Sequence, residues 1–155
     1  KGTIAGEGAS FFLLANEASA TDYAKLDGLH TFYKPDGIPE IERQVNLFFE
    51  KQDISINEID LIITGKNGDA GSDEVYESLS KTVFAGKNSI NYKNLCGEYP
   101  TAAAFAMWLA AIIVKSGNVP ATIEYKDSNE EKIKKVLVYN HYQGIHHSLS
   151  LLSAC

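Results

Sequence analysis

The chain has 155 residues, the length of one domain or of two small ones, and that is enough to enclose a real hydrophobic core. Apolar residues at 45% and charged residues at 22% exclude an intrinsically disordered chain. The net charge of −6 excludes a protein that holds nucleic acid chiefly by releasing counterions from phosphates. Two cysteines, Cys96 and Cys155, are too few for a disulfide framework and fit a reducing compartment, the cytoplasm. The chain opens on Lys1 and Gly2, with neither an initiator Met nor a charged segment ahead of an apolar stretch. No signal peptide is therefore expected, and a fragment of a longer protein is.

Residues 10–15 (Ser-Phe-Phe-Leu-Leu-Ala) are apolar without alternation and predict a strand buried on both faces. Residues 29–33 mix β-branched and aromatic side chains and predict a strand beside it. Pro35, Gly37 and Pro39 break the chain, and Pro39 suits the first turn of a helix over 39–51. There Ile41, Val45, Phe48 and Phe49 recur on one face. Residues 58–64 pass from polar to wholly apolar and predict a central strand, followed by a glycine-rich turn over 65–71. Ser72 or Asp73 is placed to cap a helix whose Val75, Leu79 and Val83 face inward. A brief strand is expected at 89–92 and a loop at 93–100.

Residues 102–114 are an unbroken apolar run, too short to span a membrane and rich in Ala, Leu, Met, Trp and Phe. They predict a helix at about 100–116 which, being apolar all round, should be buried all round. The charge-mixed run 127–135 reads as a solvated loop. Residues 135–139 and 148–152 predict two closing strands around a turn at 141–147. Helices alternating with apolar strands imply an α/β fold, a mixed sheet of about five strands covered by helices. One such sheet can bury one face of the 102–114 helix but not both. The chain should therefore carry an inner surface meant for a second layer of protein.

The loop 65–71 holds small residues and Lys66 but lacks the Gly-x-x-x-x-Gly-Lys-Ser/Thr spacing of a phosphate loop, so no nucleotide is expected. His141, His146 and His147 suggest zinc. Neighbouring strand residues point to opposite faces, however, so His146 and His147 do not share an ion in strand geometry. Solvent-accessible turn histidines are the preferred reading, with no metal and no other cofactor. Glu98, just ahead of a helix, fits equally a carboxylate that complements the helix dipole and a member of a polar site with Lys93 as its ion partner.

Gly6-Glu7-Gly8-Ala9 ahead of an apolar run, the glycine-rich turn from Gly65 to Asp73, Lys93-x-x-x-Gly97 ahead of an Ala-rich helix, and Asn140 in a last strand–turn–strand follow one order. Along nearly the whole chain they resemble the C-terminal half of the β-ketoacyl-acyl-carrier-protein (3-oxoacyl) synthases, the condensing acyltransferases of fatty acid and polyketide biosynthesis. The resemblance implies a thiolase-like fold of two similar halves in five layers, α-β-α-β-α, with one buried helix from each half in the middle. Residues 1–155 would be the second half. The N-terminal half, which supplies the nucleophilic Cys, would lie outside this chain; neither Cys96 nor Cys155 matches that Cys.

The resemblance also shows replacements. The family's His-Gly-Thr-x-Thr turn reads Gly65-Lys66-Asn67-Gly68-Asp69, and its Lys-x-x-x-Gly-His motif reads Lys93-Asn94-Leu95-Cys96-Gly97-Glu98. No histidine lies between His30 and His141, so no shift of register restores either one. Gly65 and Glu98 thus stand at the histidine positions, Lys93 is retained, and no residue is expected to be catalytic. The Gly-Phe-Gly-Gly turn is replaced around Gln143-Gly144-Ile145-His146. The expected function is that of a divergent or non-catalytic synthase-like protein of the chain-length-factor kind, inactive as this chain alone. The alternative is an acyl- or protein-binding scaffold. Implied partners are an acyl carrier protein and its acyl thioester, the missing N-terminal half, and a second subunit in a homodimer or in a heterodimer with an active synthase. Nucleic acid and a membrane span are not implied.

Overall fold

The computed structural model describes residues 2–125 and 132–155. Strands β1 (Lys25–Tyr33), β2 (Leu61–Thr64), β3 (Ser89–Asn91), β4 (Lys135–Tyr142) and β5 (His146–Ser153) form one mixed sheet in the order β1-β5-β4-β2-β3. β2 runs parallel to β3 and β4, while β5 runs antiparallel to β4 and β1. Parallel neighbours need crossovers. Helix α2 (Ala70–Lys81) carries β2 to β3, and α3 (Lys93–Cys96) with α4 (Ala102–Ser116) carries β3 to β4. Helix α1 (Gly37–Gln52) precedes them; it starts two residues ahead of the expected 39–51 and holds Pro39 in its first turn.

The sheet divides two cores. On one face Ile62, Leu137, Tyr139, Leu149 and Leu151 meet α1 through Ile41, Val45, Phe48 and Phe49, and α2 through Tyr76 and Leu79. On the other, Leu61, Ile63, Ile90, Val136 and Val138 meet Ala106, Leu109, Ala110 and Ile113 of α4. The strand predicted at 58–64 is shorter than expected. A 3-10 turn, Ile56–Glu58, takes its start, closed by a reciprocal cap between Ser55 and Glu58. The α2 cap is Asp69 rather than Ser72 or Asp73. Its carboxylate accepts the Ser72 N–H at 3.0 Å, which leaves Asp73 free to act in the loop before it.

Three expectations fail. Residues 10–15 form no strand: Phe11 is 94% exposed, Leu13 and Leu14 are exposed too, and β1 is already the sheet edge. The arm containing them is tied near its ends, by a bridge between Ala5 and Glu98 and by Lys115 Nζ, which donates to the Ala20 and Asp22 carbonyls at 3.0 and 2.6 Å. Second, α4 is buried on one face only within this chain. Phe105, Met107 and Ile112 are half-buried and Trp108 is 45% exposed, so the all-round burial its composition calls for is not met here. Third, the turn expected over 141–147 contracts to residues 143–145, because β4 runs on to Tyr142 and β5 begins at His146. Of the loop expected at 127–135, residues 127–131 lie outside the described residues; Ile133 is buried and Lys135 opens β4. Among the described residues no helix is long and apolar enough to cross a membrane.

Candidate functional site

Gly65 and Glu98, the two positions expected to stand where the family carries histidines, lie above the ends of β2, β3 and β4. Gly65 follows β2 directly, and Asn67 follows in the turn. The turn is organised by Asp73, whose carboxylate oxygens accept the Asn67 and Gly68 N–H groups at 3.0 Å each. Those donors are therefore unavailable to a phosphate. The segment 93–100, expected as a loop, contains α3, and Gly97 stops that helix with a φ of +78°. A Cβ on Gly97 would lie 2.7 Å from the Gly6 Cα, so the arm and the α3 terminus cross glycine on glycine. That crossing sets Glu98 beside the arm. Its N–H donates to the Ile4 carbonyl at 2.8 Å, and its carbonyl accepts the Gly6 N–H at 3.2 Å.

The Glu98 side chain turns the other way. Its Oε2 accepts from Lys93 Nζ at 2.7 Å and from Asn67 Nδ2 at 2.7 Å. Lys93 is only 5% exposed and Glu98 is half-buried, so the ion pair is largely shut off from water. The choice between a dipole partner and a member of a polar site falls to the latter, with Lys93 as the cation. Asn67 was not singled out by sequence reasoning; it binds Glu98 across 31 residues of chain.

Gly65 has a different neighbourhood. A side chain there would collide with Asn140 Oδ1 and would come within 2.6 Å of the Tyr76 hydroxyl. Both groups are fixed: Asn140 Oδ1 accepts from Tyr92 OH at 2.9 Å, and Tyr76 OH accepts the His141 N–H at 3.1 Å. Burial pushes both tyrosine hydroxyls well above their ordinary range, so they stay protonated. Thr64 Oγ1 completes this floor by donating to Asn91 Oδ1 at 2.6 Å.

Cys96 is half-buried at the end of α3, and burial pushes its thiol up, away from the reactive thiolate. Cys155 is exposed, and both cysteines are free. Of the three histidines weighed for zinc, only His146 is exposed. His141 and His147 are each 2% exposed and face the α1–α2 core, so they are core residues and not solvent-accessible turn residues. Alternation along the strands explains this, since His141 pairs with His147 across β4 and β5 while His146 points to the other face. Among the described residues no three His, Cys, Asp or Glu side chains converge as a metal ion would require.

The cluster can hold charge and fill space, and it has little capacity to donate to a developing oxyanion. A carboxylate only accepts hydrogen bonds and Gly65 offers no side chain; the donors left in the cluster are the further N–H groups of Lys93 and Asn67, two groups already held by Glu98.

No family model matches the chain, and no curated protein matches it in sequence. Solved structures do match in fold. One is the ishigamide ketosynthase/chain length factor, with a TM-score of 0.71 and 16% identity over 86% of this chain and 38% of that chain. Another is a type II polyketide acyl-carrier protein in complex with its ketosynthase bound to the hexaketide, at 0.70 and 16% over 86% and 39%. A third is a β-ketoacyl synthase from Burkholderia phymatum, at 0.63 and 14% over 88% and 38%. This chain spans well under half the length of those proteins. Its fold is thiolase-like, that of the ketosynthases over the part of them it spans.

Proposed function

We propose that this chain is the C-terminal half of a β-ketoacyl synthase-like protein of fatty acid or polyketide assembly, working in the cytoplasm without condensing activity of its own, as a chain length factor does. The Lys93–Glu98–Asn67 cluster carries the reading. Decarboxylative condensation needs donors aimed at the thioester oxygen as negative charge builds on it, and losing one such donor typically costs about 100- to 1000-fold in rate. Here one donor position holds a carboxylate already bound to its own cation, and the other is a glycine packed against Asn140 and Tyr76. The likeness to a ketosynthase/chain length factor and to a ketosynthase solved with its acyl-carrier protein supports an acyl carrier protein and an active synthase subunit as partners. An N-terminal half, not included in this chain, would bring the nucleophile position.

The residue at that position separates the readings: a Cys on a strand-to-helix turn favours retained acyl transfer, and a Gln, Ser or Gly favours the non-catalytic partner. Joined to that half, the protein with Glu98→His should remain slow while Gly65 is unchanged. A histidine at 65 should act only once Asn140 or Tyr76 is also made smaller. Full synthase turnover from Glu98→His alone would refute the role assigned to Gly65.

A further inference from the structure

Residues 2–8 cross the polar cluster from outside as a strap. The Gly2 carbonyl lies beside the 65–71 turn, where a Cβ on Gly68 would meet it at 3.8 Å. Further along, Ala5 forms a parallel bridge with Glu98. Gly8 then passes Tyr99, and a Cβ there would lie 2.8 Å from the tyrosine hydroxyl oxygen. The strap therefore touches both loops that build the cluster, the one that supplies Asn67 and the one that supplies Glu98.

Glu98 sits between α3 and α4, outside both helices, so its main-chain groups need partners from elsewhere. The strap supplies both: Ile4 accepts the Glu98 N–H, and Gly6 donates to the Glu98 carbonyl. With the main chain fixed on that side, the side chain is left aimed at Lys93 and Asn67. This close approach depends on Gly6, because a Cβ there would overlap the Cys96 carbonyl. Yet the side chains of the strap stay outside the protein. Ile4 is 79% exposed, Thr3, Ala5 and Glu7 are exposed too, and none of these four belongs to either core. Surface segments held by a few main-chain contacts open locally, at far lower cost than the cores beneath them.

We propose that residues 2–8 are a detachable latch on the polar cluster, with Ile4 and Gly6 as positioning residues that keep the Glu98 carboxylate on Asn67 by holding the Glu98 main chain. Lifting the strap acts unequally on the two partners of that carboxylate. Lys93 lies five residues from Glu98 on the same segment and moves with it. Asn67 sits on a separate loop, 31 residues away, and is released. The inference rests on the cluster behind the proposed function and deepens it, but its test involves no turnover. Condensing activity in the assembled protein would refute that function and leave the latch standing.

Amide hydrogen exchange of the 155-residue chain, followed by NMR, tests the latch through two alanine variants. Gly6→Ala forces the strap off Cys96, whereas Gly2→Ala makes the same chemical change where a Cβ meets no atom within 4 Å among the described residues. Gly6→Ala should speed exchange at the Glu98 N–H by at least about 10-fold, the scale of one net hydrogen bond. The Asn67 side-chain amide should speed up with it, while the Leu137 and Ile113 amides, one in each core, keep their wild-type rates. Gly2→Ala should leave all four unchanged. A Glu98 rate unmoved by Gly6→Ala, or moved equally by Gly2→Ala, would overturn the proposal. So would a faster Glu98 beside an unchanged Asn67. Loss of protection at Leu137 and Ile113 would overturn it as well, by making the strap part of the fold rather than a latch upon it.

Discussion

Acidification should destabilise this chain between about pH 6.5 and pH 4, above the range in which carboxylates usually drive acid unfolding. His141 donates from Nε2 to the Ser72 carbonyl at 2.9 Å and accepts the Gly144 N–H at Nδ1 at 3.1 Å. A second proton can land only on Nδ1, where it would oppose an N–H. His147 lies 5.4 Å away, ring to ring, with Nδ1 against the Tyr139 hydroxyl at 2.8 Å and Nε2 buried without a hydrogen-bond partner among the described residues. Burial, then the neighbouring His147, pushes His141 down to about 4, and burial lowers His147 as well. The unfolded chain, whose histidines titrate near 6.5, therefore binds more protons than the folded one throughout that window, and stability falls as pH falls through it. For His141 the shift corresponds to roughly 3 kcal/mol at most, a large part of the 5–15 kcal/mol that holds a typical domain. Urea unfolding from pH 7.5 to 4.5 should show this loss, and His141→Phe should flatten the slope whatever its own baseline. If His141 titrated at 6 or above by NMR, or the variant kept the wild-type slope, the reasoning would be refuted.

Gly65→Ala should cost about 1–3 kcal/mol through collision with Asn140 and Tyr76, and less in an Asn140→Ala background; equal costs in both backgrounds would contradict the packing described. Lys93→Met strands the Glu98 carboxylate and should lower urea stability by about 2–4 kcal/mol, most of it regained in Lys93→Met/Glu98→Gln. Ile113→Ala should cost about 2–5 kcal/mol and Ile112→Ala clearly less, since only the first is fully enclosed by this chain. Asp69→Ala should cost about 1 kcal/mol by uncapping α2, measured by the same denaturation.

What could be read in the sequence follows the range of the interactions. The α1 face of Ile41, Val45, Phe48 and Phe49 is a local 3.6-residue pattern, and those four residues are the ones the structure buries. Gly65 and Glu98 could be singled out by motif, but their surroundings could not. Asn140 reaches Gly65 from 75 residues further along the chain, and Asn67 reaches Glu98 across 31. Residues 10–15 read as a strand because an apolar run calls for cover, and composition does not say whether this chain supplies it. The same holds for the outer side of α4. A hairpin loop of seven residues puts His141 and His147 in a turn; the loop of three that forms puts them on the strands, where alternation turns both inward.

The central proposal is that Gly65 and the Lys93–Glu98–Asn67 cluster stand where a condensing site would need hydrogen-bond donors. Malonyl-thioester decarboxylation by the unmodified protein, joined to its N-terminal half and supplied with acyl carrier protein, tests it most directly. No turnover above the uncatalysed background is predicted. Turnover at the rate of an active ketosynthase, with Gly65 and Glu98 in place, would contradict the account.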